Sequence, residues 1–364
     1  MKTKEKLSRF CLSMIDGVGP STFHKLVSQF RSTLAIWDNP SELGIPKELS
    51  KKIEKQKLNF NVEKQLKKLE AKDIGFIAFG EEDYPSYLSQ TKNPPPCLYY
   101  AGNYQAELFK KSISIVGTRQ ISDYGRAVAK RFVVELVKNG FTIISGMAFG
   151  VDSAAHRYTI DCKGRTIGVL ASSVDEPTPK RNRGLYNQII NNNGLIISET
   201  FPGTEIGPWS FPQRNRIIAG TSLGTLVIEA GEDSGALITA DIAFSENREI
   251  FAVPGDINRG LSKGTNKLIK YTKAKLVEEP KDIIVEFENM LEESPFEKTE
   301  NKKIFERKDP LENEILRLLT EDSLTVEEIG NTLMKTSSKI STHLSLLEVE
   351  EIIQKGMDGK FRLL

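Results

Sequence analysis

The 364-residue chain is poor in cysteine, histidine and tryptophan, with three, three and two of each. Cys11, Cys97 and Cys162 are odd in number and far apart, and none stands in a CxxC or Cys/His cluster. Neither a disulfide framework nor a zinc site is indicated, no metal or cofactor is expected, and a reducing cytoplasm fits. The chain also lacks any run approaching the roughly 18 apolar residues of a membrane helix. Its N-terminus, MKTKEKLSRFCLSMIDGVG, has no unbroken apolar stretch of the signal-peptide kind, so a soluble protein with no membrane partner is expected. Excess charge of one sign is missing too: 50 Lys and Arg oppose 49 Asp and Glu, so any nucleic-acid site must be a local patch. No Walker GxxxxGK[ST] occurs and no GxGxxG follows the first β-branched run, which weakens ATPase and dinucleotide readings.

What remains is an ordinary globular composition, 39% hydrophobic and 27% charged, with length for two or three domains. Net charge is uneven: +6 over residues 1–75, −1 over 76–307 and −4 over 308–364. In the basic N-terminal part, Leu7, Phe10, Cys11, Met14 and Ile15 recur at helical spacing, as do Phe23, Leu26, Val27 and Phe30. Between them lies Gly17-Val-Gly-Pro20, the spacing of a helix-hairpin-helix unit, so residues 1–75 are expected to form a helical domain of helix-hairpin-helix or SAM-like type. The amides at Gly17 and Gly19 are either an auxiliary DNA phosphate contact or, equally, a glycine-turned αα-hairpin with no ligand.

From Ser112 the pattern changes. SISIVG, FTIISG, RTIGVLAS, GLIISE, TLVIEA, EIFAVPG and AKLV are short runs rich in β-branched residues, alternating with amphipathic segments such as 125–138. The alternation predicts an α/β domain over residues 76–285, an extended Rossmann-like sheet with six or seven parallel strands. Residues 286–308 read as a charged linker, begun by a helix tail. Residues 309–364 carry three helical patterns (311–319, 325–333 and 337–347) and a hairpin signal at Asp358-Gly359, which together predict a winged helix.

Most of the strand runs end in Gly, Ser or Thr followed by a polar turn, which puts six loops on one edge of the sheet, where helix N-termini and free amides favour phosphates. Arg119, Lys180, Arg181, Arg183, Arg214 and Arg216 converge there, with Phe211 and Trp209 interleaved, a combination suited to single-stranded nucleic acid. Any one of these side chains could be a loop anchor or part of a solvated rim; six cations on one edge argue for a site. Enzymatic signals are thin. His24, His156 and His343 have no nucleophile motif beside them, and the best hint is Gly220-Thr-Ser-Leu-Gly-Thr225 followed by Glu229, a turn and carboxylate that could hold a ribose phosphate or simply enter a buried strand.

Six segments occur in order: SIVGTRQISDYG, SGMAFGVDSAAH, FPQRNRIIAG, VIEAGEDSGALITA, FAVPGD and KGTNKLI. With them the chain resembles the DNA-processing protein A (DprA/Smf) family of natural transformation over nearly its whole length. The resemblance implies a Rossmann-like domain that binds and protects single-stranded DNA, dimerises, and loads the RecA recombinase, with no catalytic role. It assigns the VG[ST]R motif to Gly117, Thr118 and Arg119, the YPKxN motif to Lys180, Arg181 and Asn182, and FPxRNR to Phe211, Arg214, Asn215 and Arg216, all as DNA contacts. Four departures stand out. Thr178 replaces the family's tyrosine, Arg181 precedes Asn182, and residues 199–212 contain no Lys or Arg. GTNKLI continues as KYTKAKLV without the family's common Gly-Ala. The acidic winged helix favours a protein contact over DNA, whether RecA, another subunit or the chain's own Rossmann domain. The competing reading is a phosphoribohydrolase-like enzyme acting on nucleoside monophosphates through Glu229; its Pro-Gly-Gly signature is absent.

Overall fold

The computed structural model describes residues 3–292, 309–321, 323–350, 352–356 and 359–363. It divides into two compact units, residues 1–289 and 290–364.

The first unit opens with five helices, α1 (Thr3–Ser13), α2 (Pro20–Phe30), α3 (Thr33–Asp38), α4 (Lys47–Asn59) and α5 (Val62–Glu70). The α1–α2 connection turns at Gly17, which sits at φ +88°, and Pro20 starts α2 with its fixed φ and no amide to satisfy. Leu12, Ile15, Phe23, Leu26, Ile36 and Ile53 make a small core for this bundle. A second cluster sets Phe10 and Leu69 against Tyr99 and Ile196, so the helices share apolar surface with the sheet.

The sheet follows: β1 (Gly75–Ala78), α6 (Ser86–Ser89), β2 (Cys97–Gly102), α7 (Glu107–Lys110), β3 (Ser112–Val116), α8 (Asp123–Lys138), β4 (Thr142–Ser145), α9 (Val151–Asp161), β5 (Thr166–Val169), α10 (Arg183–Asn191), β6 (Leu195–Ser198), α11 (Ser210–Thr221), β7 (Gly224–Val227), α12 (Gly235–Ser245), β8 (Glu249–Ala252), α13 (Lys263–Lys270), β9 (Lys275–Leu276) and α14 (Lys281–Glu292). The nine strands are ordered β1-β2-β6-β5-β4-β3-β7-β8-β9. All seven runs read from the sequence are the parallel strands β3 to β9; β1 and β2 extend the sheet antiparallel beyond β6. That extension was not expected, because antiparallel pairing to a distant strand leaves no local mark.

Residues alternate across each strand. Ile113 and Ile115 of β3 face a layer with Phe132 and Leu136 of α8 and Phe287 of α14, while Val116 joins Ile217 of α11 and Ala240 of α12 on the other side. Phe287 is fully buried and α14 runs to Glu292, so ordered core extends past residue 286, where the linker was expected to begin. Residues 293–308, most of that expected linker, lie outside the described residues.

In the second unit, α15 (Pro310–Glu321), α16 (Val326–Leu333) and α17 (Ser337–Val349) enclose Ile315, Ile329, Ile340, Leu344 and Leu347. Thr325 and Glu328 form a reciprocal capping box on α16. β10 (Ile353–Lys355) pairs antiparallel with β11 (Phe361–Leu363), completing the winged-helix pattern. Of the expected turn, Gly359 is described and has φ +78°; Asp358 lies outside the described residues.

Within the sheet unit, His156 of α9 is wholly buried, and burial holds its pKa down to about 3. Thr166 donates its hydroxyl hydrogen to the Ile143 carbonyl (2.7 Å), so the imidazole Nδ1 donates to Thr166 Oγ1 (2.7 Å) and the ring is neutral. Because the unfolded chain takes up this proton near pH 6.5 and the folded one does not, stability present above that pH is lost as pH falls. The expected slope is roughly 1.4 kcal/mol per pH unit from about 6.5 toward 3. Chemical denaturation of wild type and His156→Gln between pH 7 and 5 checks this: the variant should be less stable at pH 7 and show a shallower pH dependence, and parallel curves would refute it.

Candidate nucleic-acid interface

Strand order places the site. β3 leads through α8 to β4 on one side, whereas β7 and β8 lie on the other, so the connections diverge between β3 and β7. At such a switch point the loops leaving two adjacent strands part and leave a crevice at their carboxyl ends. A cleft of about 1100 Å³ lies there. Residues 116–120 after β3 and 231–236 after β7 form two of its walls, and Phe211, Arg214 and Asn215 of α11 reach into it.

Arg214 is the residue at its base. The side chain is buried, and its Nη1 donates to the carbonyls of Gly146 and Val169 (2.6 Å to the latter), at the ends of β4 and β5. Burial lowers the guanidinium's pKa to about 10, with Asp152 pulling the other way and Arg119 adding to the depression. Burial likewise raises Asp152, opposed by Arg214. At pH 7 the guanidinium stays charged, and its attraction offsets part of the cost of burying the Asp152 carboxylate.

The loop between β4 and α9 is closed by side chains around that pair. Asp152 accepts from the amides of Gly146 (3.2 Å) and Ala148 (3.3 Å), and Ser153 donates to the Ala148 carbonyl (2.6 Å). Asn182, also buried, donates to the Met147 carbonyl (2.7 Å) and to Ser153 Oγ (3.0 Å). Met147 has φ +59°, so Asn182 bonds directly to a turn that side-chain-bearing residues seldom adopt. Asn182 thus organises the loop rather than presenting its amide to solvent.

The exposed cations lie beside the cleft. Arg119, Arg126, Arg157 and Arg181 line an adjoining open bay of about 600 Å³, together with Phe149, Gly150 and Ser153, and no Asp or Glu lines it. Helix α9 starts at this bay with Gly150 as its N-cap and no side-chain cap, so its amide end adds partial positive charge. Arg119 is exposed and stands 6.0 Å from the Phe211 ring centroid, the cation–π arrangement that presents an aromatic face and a charge together. On the opposite wall of the main cleft, by contrast, are Glu232 and Asp233, both exposed.

Of the residues singled out from sequence, the structure brings Gly117, Thr118, Arg119, Phe211, Arg214 and Asn215 to the cleft and Arg181 and Asn182 to the bay. Lys180 is exposed but lines neither. Arg216, two residues beyond Arg214 on α11, turns to another face: it pairs with Glu199 and donates to the Asn93 carbonyl (2.6 Å). It lines a second cavity of about 720 Å³ with Gly17, Gly19 and Phe201. The expectation that Arg214 and Arg216 both offer free guanidinium groups is therefore corrected: one is buried on backbone carbonyls and the other is paired with a carboxylate. Arg126 and Arg157 were missed. Gly150, Ser153 and Arg157 follow at i, i+3 and i+7, a helical face that the sequence did display.

Glu229 is buried away from the cleft. Its carboxylate accepts from the Ser122 amide (3.0 Å) and hydroxyl (2.5 Å) at the start of α8, and from Arg259 (3.4 Å). It holds a helix N-terminus in place, which leaves the enzymatic reading without its proposed carboxylate in the cleft. Among the described residues no helix is long and apolar enough to cross a membrane.

Residues 75–288 match the family model of DNA recombination-mediator protein A, and residues 309–355 that of the arsR family of bacterial regulatory proteins. Protein Smf of Synechocystis is 37% identical over 262 residues, covering 70% of this chain and 66% of that protein, just under two thirds of its length. The X-ray structure of DNA processing protein A from Streptococcus pneumoniae superposes with a TM-score of 0.66 at 30% identity, covering 78% of this chain and 98% of that one. DNA processing protein A from Helicobacter pylori, described as having a unique single-stranded DNA binding mode, superposes with a TM-score of 0.53 at 28% identity, covering 60% and 96%.

The loop architecture makes its own prediction. Gly150 has φ +77°, and a Cβ there would fall on the Thr118 carbonyl and within 2.6 Å of the Arg119 carbonyl carbon. Gly150→Ala should cost more than about 1 kcal/mol of stability through both strain and collision. Gly184→Ala in α10, where nothing lies within 4 Å, should be neutral or slightly stabilising. Thermal unfolding of the two variants compares them directly; equal melting temperatures would contradict this account of the loop.

Proposed function

The chain belongs to the DNA recombination-mediator protein A family, and on that premise we propose that it binds single-stranded DNA across the cleft and the arginine bay. The observation that carries this reading is the separation of chemistry between the two. Four arginines and the amide end of α9 line the bay with no Asp or Glu in its lining, only Arg126 standing near a carboxylate, the exposed Asp123 (3.9 Å), whereas the cleft offers Phe211, Asn215 and backbone groups and is walled by Glu232 and Asp233. Phosphates are attracted to the first surface and repelled from the far wall of the second, so the backbone follows the bay while a base enters the cleft against Phe211. Arg214 and Asn182 shape the floor; Arg119 contacts a phosphate at the junction, and Lys180 and Arg181 extend the cationic rim. The single-stranded DNA binding described for the Helicobacter pylori relative supports the same class of ligand here. Arg216, Gly17 and Gly19 border a separate cavity, through which the strand continues beneath the α1–α2 hairpin.

The finer steps rest on the family's mediator role. The bound strand is shielded and handed to RecA in the cytoplasm during DNA uptake. The active form is a homodimer, for which α12 supplies exposed apolar groups in Ile238 and Phe244 on a helix whose Ala236, Ala240 and Ala243 are buried. No catalytic step is assigned to the cleft.

Fluorescence anisotropy with a labelled single strand over a salt series tests the DNA assignment. Arg119→Ala should weaken binding for all sequences and reduce the slope of log K against log salt by about 0.7, the loss of one phosphate contact. Phe211→Leu should cost about 1–3 kcal/mol with the slope unchanged. An unaltered slope for Arg119→Ala would remove that residue from the phosphate path, and equal affinity for single and double strands would remove the proposal. RecA filament formation on a single strand coated with single-strand-binding protein, with and without the full chain, tests the handover.

A further inference from the structure

In the winged-helix unit, the first turn of α15 meets the middle of α17 at a cluster of three potential ligands: Asp309, Glu312 and His343 have one ligand atom each within 4.8 Å of the others. His343 Nδ1 lies 3.6 Å from Glu312 Oε1 and 3.9 Å from Asp309 Oδ2. These separations are too long for hydrogen bonds, and Nδ1 is buried without a hydrogen-bond partner among the described residues. A charged imidazolium resting on a carboxylate would be expected to close to about 2.7–2.9 Å. Ligands sharing one metal ion at about 2.0–2.2 Å stand about 3–3.5 Å apart; the two distances from the histidine lie close to that range, and the two carboxylates are within 4.8 Å of each other.

We propose that Asp309, Glu312 and His343 form a divalent transition-metal site in the winged-helix unit, a function separate from DNA binding by the cleft. The local chemistry supports the assignment at three points. Asp309 divides its oxygens, Oδ1 accepting from the Leu311 amide (2.8 Å) as a helix cap and Oδ2 facing the histidine. Both carboxylates lie at the N-terminus of α15, so one short segment supplies two of the three ligands. The histidine and Glu312 side chains are only 15% and 12% exposed, whereas Asp309 is 45% exposed, so the cluster is enclosed on two sides and open on the third. One imidazole nitrogen with two carboxylates selects zinc, cobalt or nickel over magnesium or calcium, with water completing the coordination. The ion would clamp α15 to α17.

Titration of the full-length, untagged protein with Co²⁺, followed by its visible absorption, and with Zn²⁺ by calorimetry, tests the site. One equivalent should bind, with the spectrum of nitrogen and oxygen ligands and no thiolate charge-transfer band. Glu312→Gln and His343→Gln should each weaken binding by more than about tenfold. Asp309→Asn, which retains a good helix cap, should weaken it with the winged helix still folded by circular dichroism, so loss of binding is not mistaken for loss of fold. His24→Gln, on α2 of the other unit, should bind as wild type does. Absence of one-to-one binding by wild type, a thiolate signature, or unchanged affinity in the Asp309 and His343 variants would each overturn the proposal.

Discussion

A buried guanidinium holds the functional edge of this protein together. Arg214 projects from α11 beneath the loops that leave β4 and β5 and binds a backbone carbonyl at the end of each. Removing such a charge from water is costly, and the structure offsets it with those carbonyls and with Asp152 across Gly146. A Cβ on Gly146 would lie 2.8 Å from both Arg214 Nη1 and Asp152 Oδ2, so a residue without a side chain is what allows the two charges to approach. Asp152 then gathers the loop amides, and Asn182 bonds to Met147 from the other side. The shape of the bay beside it follows from this arrangement, because Gly150 and Ser153, which line it, begin the helix that the loop leads into.

Electrostatics gives that shape a direction. The protein is nearly neutral overall, so long-range attraction of a polyanion cannot come from net charge and must come from local segregation. Four arginines on one side of Phe211 and two carboxylates on the other provide it. Glu229 serves the same edge indirectly: bound to Ser122 and Arg259, it anchors the start of α8, from which Arg126 projects. A carboxylate that looks catalytic in sequence is a scaffold element when both of its oxygens are engaged by an amide, a hydroxyl and a guanidinium.

The winged-helix unit has a different balance. Its sequence is acidic, and where Asp309 and Glu312 cluster beside His343 the structure assembles ligands suited to a cation rather than a surface for phosphates. A match to a family of bacterial regulatory proteins therefore says little about what this unit binds, since a fold does not carry its ligand with it.

Much of the architecture was legible in the chain. Runs such as SISIV, FTIIS and GLIIS are short, β-branched and flanked by glycine, and each is a parallel strand; the three helical patterns and the hairpin of the C-terminal unit are likewise local signals. The strands Gly75–Ala78 and Cys97–Gly102 were not read, since they pair with each other and only Cys97–Gly102 joins the sheet, through β6, whose residues lie about a hundred positions away. The site divides the same way. Sequence by itself determined which residue types gather at the carboxyl edge, because every βα connection ends there whatever the strand order. Only the tertiary structure decided that Arg119 is exposed, Arg214 buried and Arg216 paired with Glu199, and that Arg126 and Arg157 join the bay. Strand order and helix rotation set the burial and partners of each guanidinium, and the arginines are chemically identical until the fold places them.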